Sequence, residues 1–292
     1  MSRPRGDAAV SAAVALGLLA ALFYGATDFA ARFAGRRVGP LRTILYGHGA
    51  AALVMATVLL WRGIPPANAA TWLATVASNL VGLAATASLY RALATGSLAV
   101  VSPIAAMYGG VAALLSAASG EALRPVAWLG LALAVAGSIA VARPRPGPDR
   151  VRTRRAGAFS AATAALLYGV SFWLQGRYVV PYLGVLAPTC SYYVLGCAAA
   201  LAFGVLGRRP LAPPPKPAAP VVFGTTALAC GGTLALAAGQ VTGEVAVVTV
   251  LSALASAVTV LLARIVLKEP VPPWGWAGLA LTVGGIGLLH AA

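Results

Sequence analysis

The sequence predicts an all-α polytopic membrane protein, with ten transmembrane helices in two inverted five-helix repeats. Three observations lead there. Of the 292 residues 60% are apolar and 9% charged, and the mean hydropathy is +0.87, whereas soluble chains carry about 25% charged residues. So few charges cannot cover a soluble surface. The apolar residues fall into ten runs, each close to the ~20 residues that a helix needs to cross the hydrocarbon core. The two halves of the chain also repeat one another.

The runs are 11–31, 43–61, 70–90, 98–118, 125–142, 157–176, 184–206, 218–239, 245–263 and 273–289. The first follows Arg3 and Arg5 and exceeds the roughly 7–15 residue core of a signal peptide, so it reads as a retained helix. The second lies between Arg42 and Arg62, and the third between Pro65-Pro66 and Arg91. Gly96-Ser97 and Gly120-Glu121 bound the fourth, Pro125 and Arg143 the fifth. After the Arg- and Pro-dense break 143–155, the sixth stops before Arg177 and the seventh before Arg208-Arg209. Pro213-Pro214-Pro215 precedes the eighth, Glu244 the ninth and Pro272 the tenth. The breaks are too short to house a soluble catalytic domain.

Composition also limits function. Lys and Arg outnumber Asp and Glu by 21 to 6, but the basic residues sit in the breaks, where a polytopic chain meets headgroups. No nucleic-acid partner is expected. Cys190, Cys197 and Cys230 lie inside apolar runs with no CxxC or Cys/His cluster, and read as small core residues rather than metal ligands. The sequence has no GxSxG, HExxH, Walker A or paired-aspartate motif. An enzyme is not expected, nor a cofactor, a metal or ATP-driven transport.

The repeat runs through three places. Leu22-Phe23-Tyr24-Gly25-Ala26-Thr27 parallels Leu166-Leu167-Tyr168-Gly169-Val170-Ser171. Gly96-Ser97-Leu98-Ala99-Val100-Val101-Ser102 parallels Gly243-Glu244-Val245-Ala246-Val247-Val248-Thr249. Glu121, Trp128 and Gly137 recur as Glu269, Trp276 and Gly285. This divides the chain into repeats 1–148 and 149–292. Five spans each is an odd number, so the repeats enter the membrane in opposite senses, the plan of secondary transporters with a midplane site.

With these residues the chain resembles the drug/metabolite transporter superfamily, in its ten-helix form built from two EamA-type repeats. The likeness rests on Tyr24-Gly25 and Tyr168-Gly169, on Val101-Ser102-Pro103, and on Gly120-Glu121 and Lys268-Glu269 before a Trp/Gly-rich fifth helix. It covers roughly residues 10–290 and implies transport of a small solute, with the paired aromatics at a central cavity. Two positions depart from the pattern. Lys268 replaces a small residue, and Val250 stands where the first half has Pro103, so the second copy is expected to lack the helix irregularity of the first.

Polar and aromatic side chains inside spans are the candidate site, because each needs a partner or a wet cavity. Tyr24, Asn79, Tyr108, Tyr168, Tyr192 and Tyr193 are the candidates for substrate binding; interhelical packing is the alternative for each. Tyr24 and Tyr168 stand out as repeat mates. Proton-coupling candidates are Asp28, His48 and Glu244. Asp28 lies about one turn from the end of its run, with Arg32 at i+4 placed for a local ion pair. His48, about 8 Å into its run, also reads as a packing histidine, and Glu244 as a first-turn acid favouring the helix dipole. A shallow, paired Asp28 disfavours an organic cation, so the expected solute is neutral, zwitterionic or weakly anionic, amino-acid-like or amphipathic.

Small residues at four-residue spacing, Gly130, Ala134 and Ser138, with Ala280 and Gly284 in the tenth run, allow close helix packing within one chain or across a homodimer. Breaks after odd-numbered spans hold 16 Lys/Arg against five elsewhere. The positive-inside rule then puts both termini outside the cytoplasm of the cell membrane, although many relatives are described with termini inside. The expected function is a secondary exporter working by alternating access. A lipid or lipid-linked substrate flippase and a non-transporting scaffold or sensor are the alternatives. The partners are the solute and the bilayer, and the chain is a monomer or homodimer.

Overall fold

The computed structural model describes residues 7–96, 98–120, 125–142, 151–242, 245–268 and 273–291. They are mostly helical, with no strand among them. The first repeat comprises α1 (Asp7–Val38), α2 (Pro40–Arg62), α3 (Ala69–Thr95), α4 (Leu98–Ala105), α5 (Tyr108–Ala118) and α6 (Pro125–Ala142). The second comprises α7 (Val151–Leu174), a π-helical turn Gln175–Val179, α8 (Val180–Leu183), α9 (Leu186–Leu206), α10 (Ala219–Gln240), α11 (Val245–Ser252), α12 (Ala255–Val266) and α13 (Pro273–Ala291). Eight helical stretches among the described residues are long and apolar enough to cross a membrane. The other two expected spans, 125–142 and 273–289, form α6 and α13. The protein is a multi-pass membrane protein.

The boundaries follow local chemistry. Gly39, at φ 88°, turns the chain into α2, and Pro40 opens that helix where its missing N–H is not needed. Asn68 caps α3, its Oδ1 accepting from the Thr71 N–H at 2.8 Å. α1 runs on to Val38, seven residues beyond the expected end at residue 31. Asp28 is therefore ten residues from that end, about 15 Å at 1.5 Å per residue. The shallow position expected for Asp28 is corrected accordingly.

Both fourth spans are broken. At the first break the Met107 N–H donates to Ile104 O at 3.2 Å, and at the second the Leu254 N–H donates to Leu251 O at 3.0 Å, three-residue turns in place of helical ones. The second copy therefore has the irregularity it was expected to lack. Proline is not required for it: the Ser252 hydroxyl donates to Thr249 O at 2.7 Å, a side-chain bond that competes with the backbone ladder. The breaks also touch. Tyr108 Oη lies 2.9 Å from Ser252 Oγ, and a Cβ on Gly109 would lie 3.1 Å from Ala253 Cβ.

The repeats interdigitate instead of forming two lobes. α1 packs on α10 and α3 on α7, two contacts related by the repeat; α2 pairs with α9, α5 with α11, α4 with α12 and α6 with α13. Gly137 of α6 abuts Gly278 and Thr282 of α13. Ala280 and Gly284 are exposed and take no part in that contact, and the side chains of Ala134 and Ser138 lie outside the described residues. Arg42 and Tyr46 of α2 reach across to the α9–α10 loop, donating to the carbonyls of Ala212, Pro213 and Leu211 at 2.6–2.7 Å.

The glycine of each Tyr-Gly pair has a steric role. A Cβ on Gly25 would lie 2.5 Å from Val258 Cβ and 2.7 Å from Ala255 O of α12. A Cβ on Gly169 would collide with Val111 and lie 2.9 Å from Tyr108 O of α5. Only a bare backbone lets the first helix of each repeat approach the broken helix of the other this closely. Gly25→Ala and Gly169→Ala are each expected to cost roughly 1–3 kcal/mol through overpacking. Thermal unfolding monitored by gel filtration checks this against Gly224→Ala, where nothing lies within 4 Å and no loss is expected.

Candidate functional site

The interdigitated helices enclose one cavity lined by both repeats, with an empty volume of about 880 Å³ including space open to the outside. Tyr24, Asp28, His48, Tyr108, Tyr168, Tyr192 and Tyr193 all line it. Of the residues singled out in the sequence, Asn79 stands behind the wall and Glu244 lies outside the described residues, as do Glu121 and Glu269.

The aromatic rings form a connected set. Phe172 stacks on Tyr168 (centroids 5.3 Å, planes 18° apart) and on Tyr24 (6.3 Å, 17°). Tyr108 meets the Phe172 ring edge-on at 5.2 Å. His48 packs against Tyr192 at 5.3 Å and Tyr193 at 5.0 Å. His48 and Tyr192 are 144 residues apart, the same offset as Tyr24 and Tyr168, so they are repeat mates that meet near the pseudo-two-fold axis.

The hydroxyl protons of the wall are largely engaged within the protein. Thr86 donates its single proton to Gly82 O at 3.0 Å. Its two phenol neighbours, Tyr168 at 2.6 Å and Tyr192 at 2.5 Å, must then both donate to it. Ser252 donates to Thr249 O, so Tyr108 donates to Ser252. Tyr24 donates to Thr233 at 3.3 Å, and Thr233 in turn to Ala229 O. Ser171 donates to Ser78 O and Thr27 to Phe23 O. What these groups present to the cavity is oxygen lone pairs. Among the described polar side chains of the wall, His48, Tyr90, Tyr193 and Ser256 have no hydrogen-bond partner of this kind.

Asp28 adds the one carboxylate. Its Oδ2 accepts from Ser102 of α4 at 3.1 Å. This contact runs across helices, from α4 to α1, where Asp28 lines the cavity. Among the described residues, no Lys or Arg lines the cavity.

Asn79 is fully buried and its amide is engaged: Nδ2 donates to Ser191 Oγ at 2.6 Å and Pro188 O at 3.2 Å, and Oδ1 accepts from Gln175 at 3.2 Å. Asn79 does not itself line the cavity; Gln175, to which it is bonded, does. Gln175 escaped sequence reasoning because it falls at the end of an apolar run. The π turn, a deviation common at functional sites, carries the helical path on to Leu183. Thr86, Ser102 and Ser171 also line the cavity. Small hydroxyls in an apolar run give no distinct signal, since back-bonding to the preceding turn hides them equally well anywhere.

Two inverted helical repeats around a shared cavity define a membrane protein built like a transporter. The chain matches the EamA-like transporter family over residues 11–143 and 155–290 and belongs to that family. No curated protein matches it. A solved structure, described as the crystal structure of a protein, is similar with a TM-score of 0.76 at 20% identity, over 95% of this chain and 96% of its own, a likeness of fold.

The Thr86 junction gives a test of the wall. Thr86→Val keeps the shape but leaves Tyr168 and Tyr192 without their shared acceptor, at a cost of about 1–3 kcal/mol. Thr86→Ser is expected to restore it. Thermal midpoints of the two purified variants should differ in that order, and equal midpoints would remove the proposed bonding scheme.

Proposed function

We propose that the protein is a secondary transporter that exports a small amphipathic solute bearing an amine, by alternating access. The acceptor-lined aromatic cavity with Asp28 in its wall carries this reading. A wall of lone pairs and π faces offers little to an anion. It suits a group that brings its own N–H donors and positive charge: an ammonium on Asp28, with aromatic faces adding roughly 0.5–2 kcal/mol. An amino-acid-like zwitterion and an organic amine both qualify. The weakly anionic solute expected from the sequence suits this wall less, because Asp28 lies deeper in α1 than the sequence suggested.

Tyr24, Tyr108, Tyr168, Tyr192 and Tyr193 are the proposed solute contacts. Asp28 is the proposed exchange site, holding either a proton or the amine, which couples the two fluxes. His48 is a second candidate for proton coupling, and Glu244 stays a candidate from sequence alone. Because helices of one repeat pack on the other, the moving bodies are mixed bundles such as α1 with α10 and α3 with α7, rather than the two sequence halves. The chain sits in the cell membrane with both termini outside the cytoplasm, following the charge bias of its breaks.

The experiment is a comparison of extracellular metabolite pools between cells overexpressing the protein and cells expressing Asp28→Asn. An amine-bearing compound should accumulate outside the former, with at least a tenfold smaller excess in the variant. Reconstituted with that compound, Asp28→Asn should lose efflux driven by a pH gradient. Accumulation of an anion, or an unchanged excess in the variant, would defeat the proposal.

A further inference from the structure

Phe172 stands where the first repeat has Asp28, 144 residues earlier. The repeats agree at Tyr24 and Tyr168 and diverge one turn later. The Phe172 ring is buried and stacks on both of those tyrosines. A ring stacked on two repeat mates lies close to the pseudo-two-fold axis relating them. An axis has room for one bulky group, since close-packed interiors leave no duplicate space; a second Phe at position 28 would compete for the same volume. The divergence frees position 28 to carry a charge.

The ring is also held in place. Gln240, 1% exposed, donates from Nε2 to the Phe172 carbonyl at 3.1 Å. The π turn starts three residues later, and Tyr108 presses on the ring edge. A side chain fixed from its backbone, its faces and its edge is a fixed part of the cavity's shape.

We propose that Phe172 is the specificity-determining residue for solute size: its ring occupies the aromatic slot on Tyr24 and Tyr168 that the flat part of a larger solute would take. This rests on the reading that the cavity carries the solute. A one-ring amine reaches Asp28 beside the filled slot, whereas fused rings need the slot itself. Truncating Phe172 leaves an apolar space of ring size, the kind of void that takes aromatic guests.

The test uses purified full-length protein and two ladders of probes, followed by calorimetric titration. One ladder is benzylamine, naphthalenemethylamine and anthracenemethylamine; the other is the matching uncharged alcohols. In wild type, affinity should fall at least tenfold from one ring to three. In Phe172→Ala that fall should vanish or reverse, with Phe172→Leu intermediate, which keeps the test open if the alanine variant folds poorly. The alcohol ladder isolates size from charge. If the alcohols show the Phe172-dependent cutoff while the amines gain nothing from Asp28, the size inference stands and the amine reading falls. The same size dependence in wild type and both variants, or no binding from either ladder, overturns the inference about Phe172.

Discussion

A hydroxyl has one proton, and a hydrocarbon slab contains no water to take it. That constraint organises this protein's interior. Within a helix the nearest acceptor for a serine or threonine is a carbonyl one turn back, and Thr27, Thr86, Thr233 and Ser252 all use it. Each hydroxyl so engaged becomes a pure acceptor. Where a tyrosine of a neighbouring helix approaches, as Tyr168 and Tyr192 approach Thr86, the direction of the bond is already decided. The local bond of an isolated helix thus sets the polarity of a cavity lined by helices of both repeats. The same constraint explains why Asn79, with four bonding sites, stands behind the wall where α9 and the π turn supply partners.

Pseudo-symmetry does the rest, both where it is kept and where it is broken. Gly25 and Gly169 bring each first helix against the other repeat's broken helix, so the Tyr24 and Tyr168 phenols enter one space from two sides. On the axis itself identity is not sustainable. His48 meets Tyr192 there, and Phe172 fills the room that its mate Asp28 leaves. An exact duplication would place two identical side chains in a single volume. Divergence at these positions is therefore a requirement of packing before it is a choice of chemistry.

Fold class, span number and repeat were legible in the sequence because they rest on long averages: twenty apolar residues, or a Glu, Trp and Gly held at fixed spacing, survive local ambiguity. The tyrosines were legible for a related reason, since a large polar group inside an apolar run is rare. The depth of Asp28 was not. It depends on α1 continuing through Arg32, Arg36 and Arg37, and charge suggested an end where the helix goes on. The second break was not legible either, because a proline announces a bend and a serine does not. Phe172 was invisible as a site residue: in an apolar run a phenylalanine marks nothing until its neighbours are known.

The interdigitated arrangement bears on how the chain is made. A ribosome delivers α1 to α6 before their principal partners exist: α1 must wait for α10 and α12, α3 for α7, and α6 for α13. The first repeat therefore enters the bilayer before polar groups such as Asn79 meet their partners Gln175, Pro188 and Ser191 in the second. The second repeat is as much a template for the first as a copy of it. A gene fusion of two such halves secures equal supply of both parts, and it ensures that the helices left waiting are completed by the chain that is still emerging behind them.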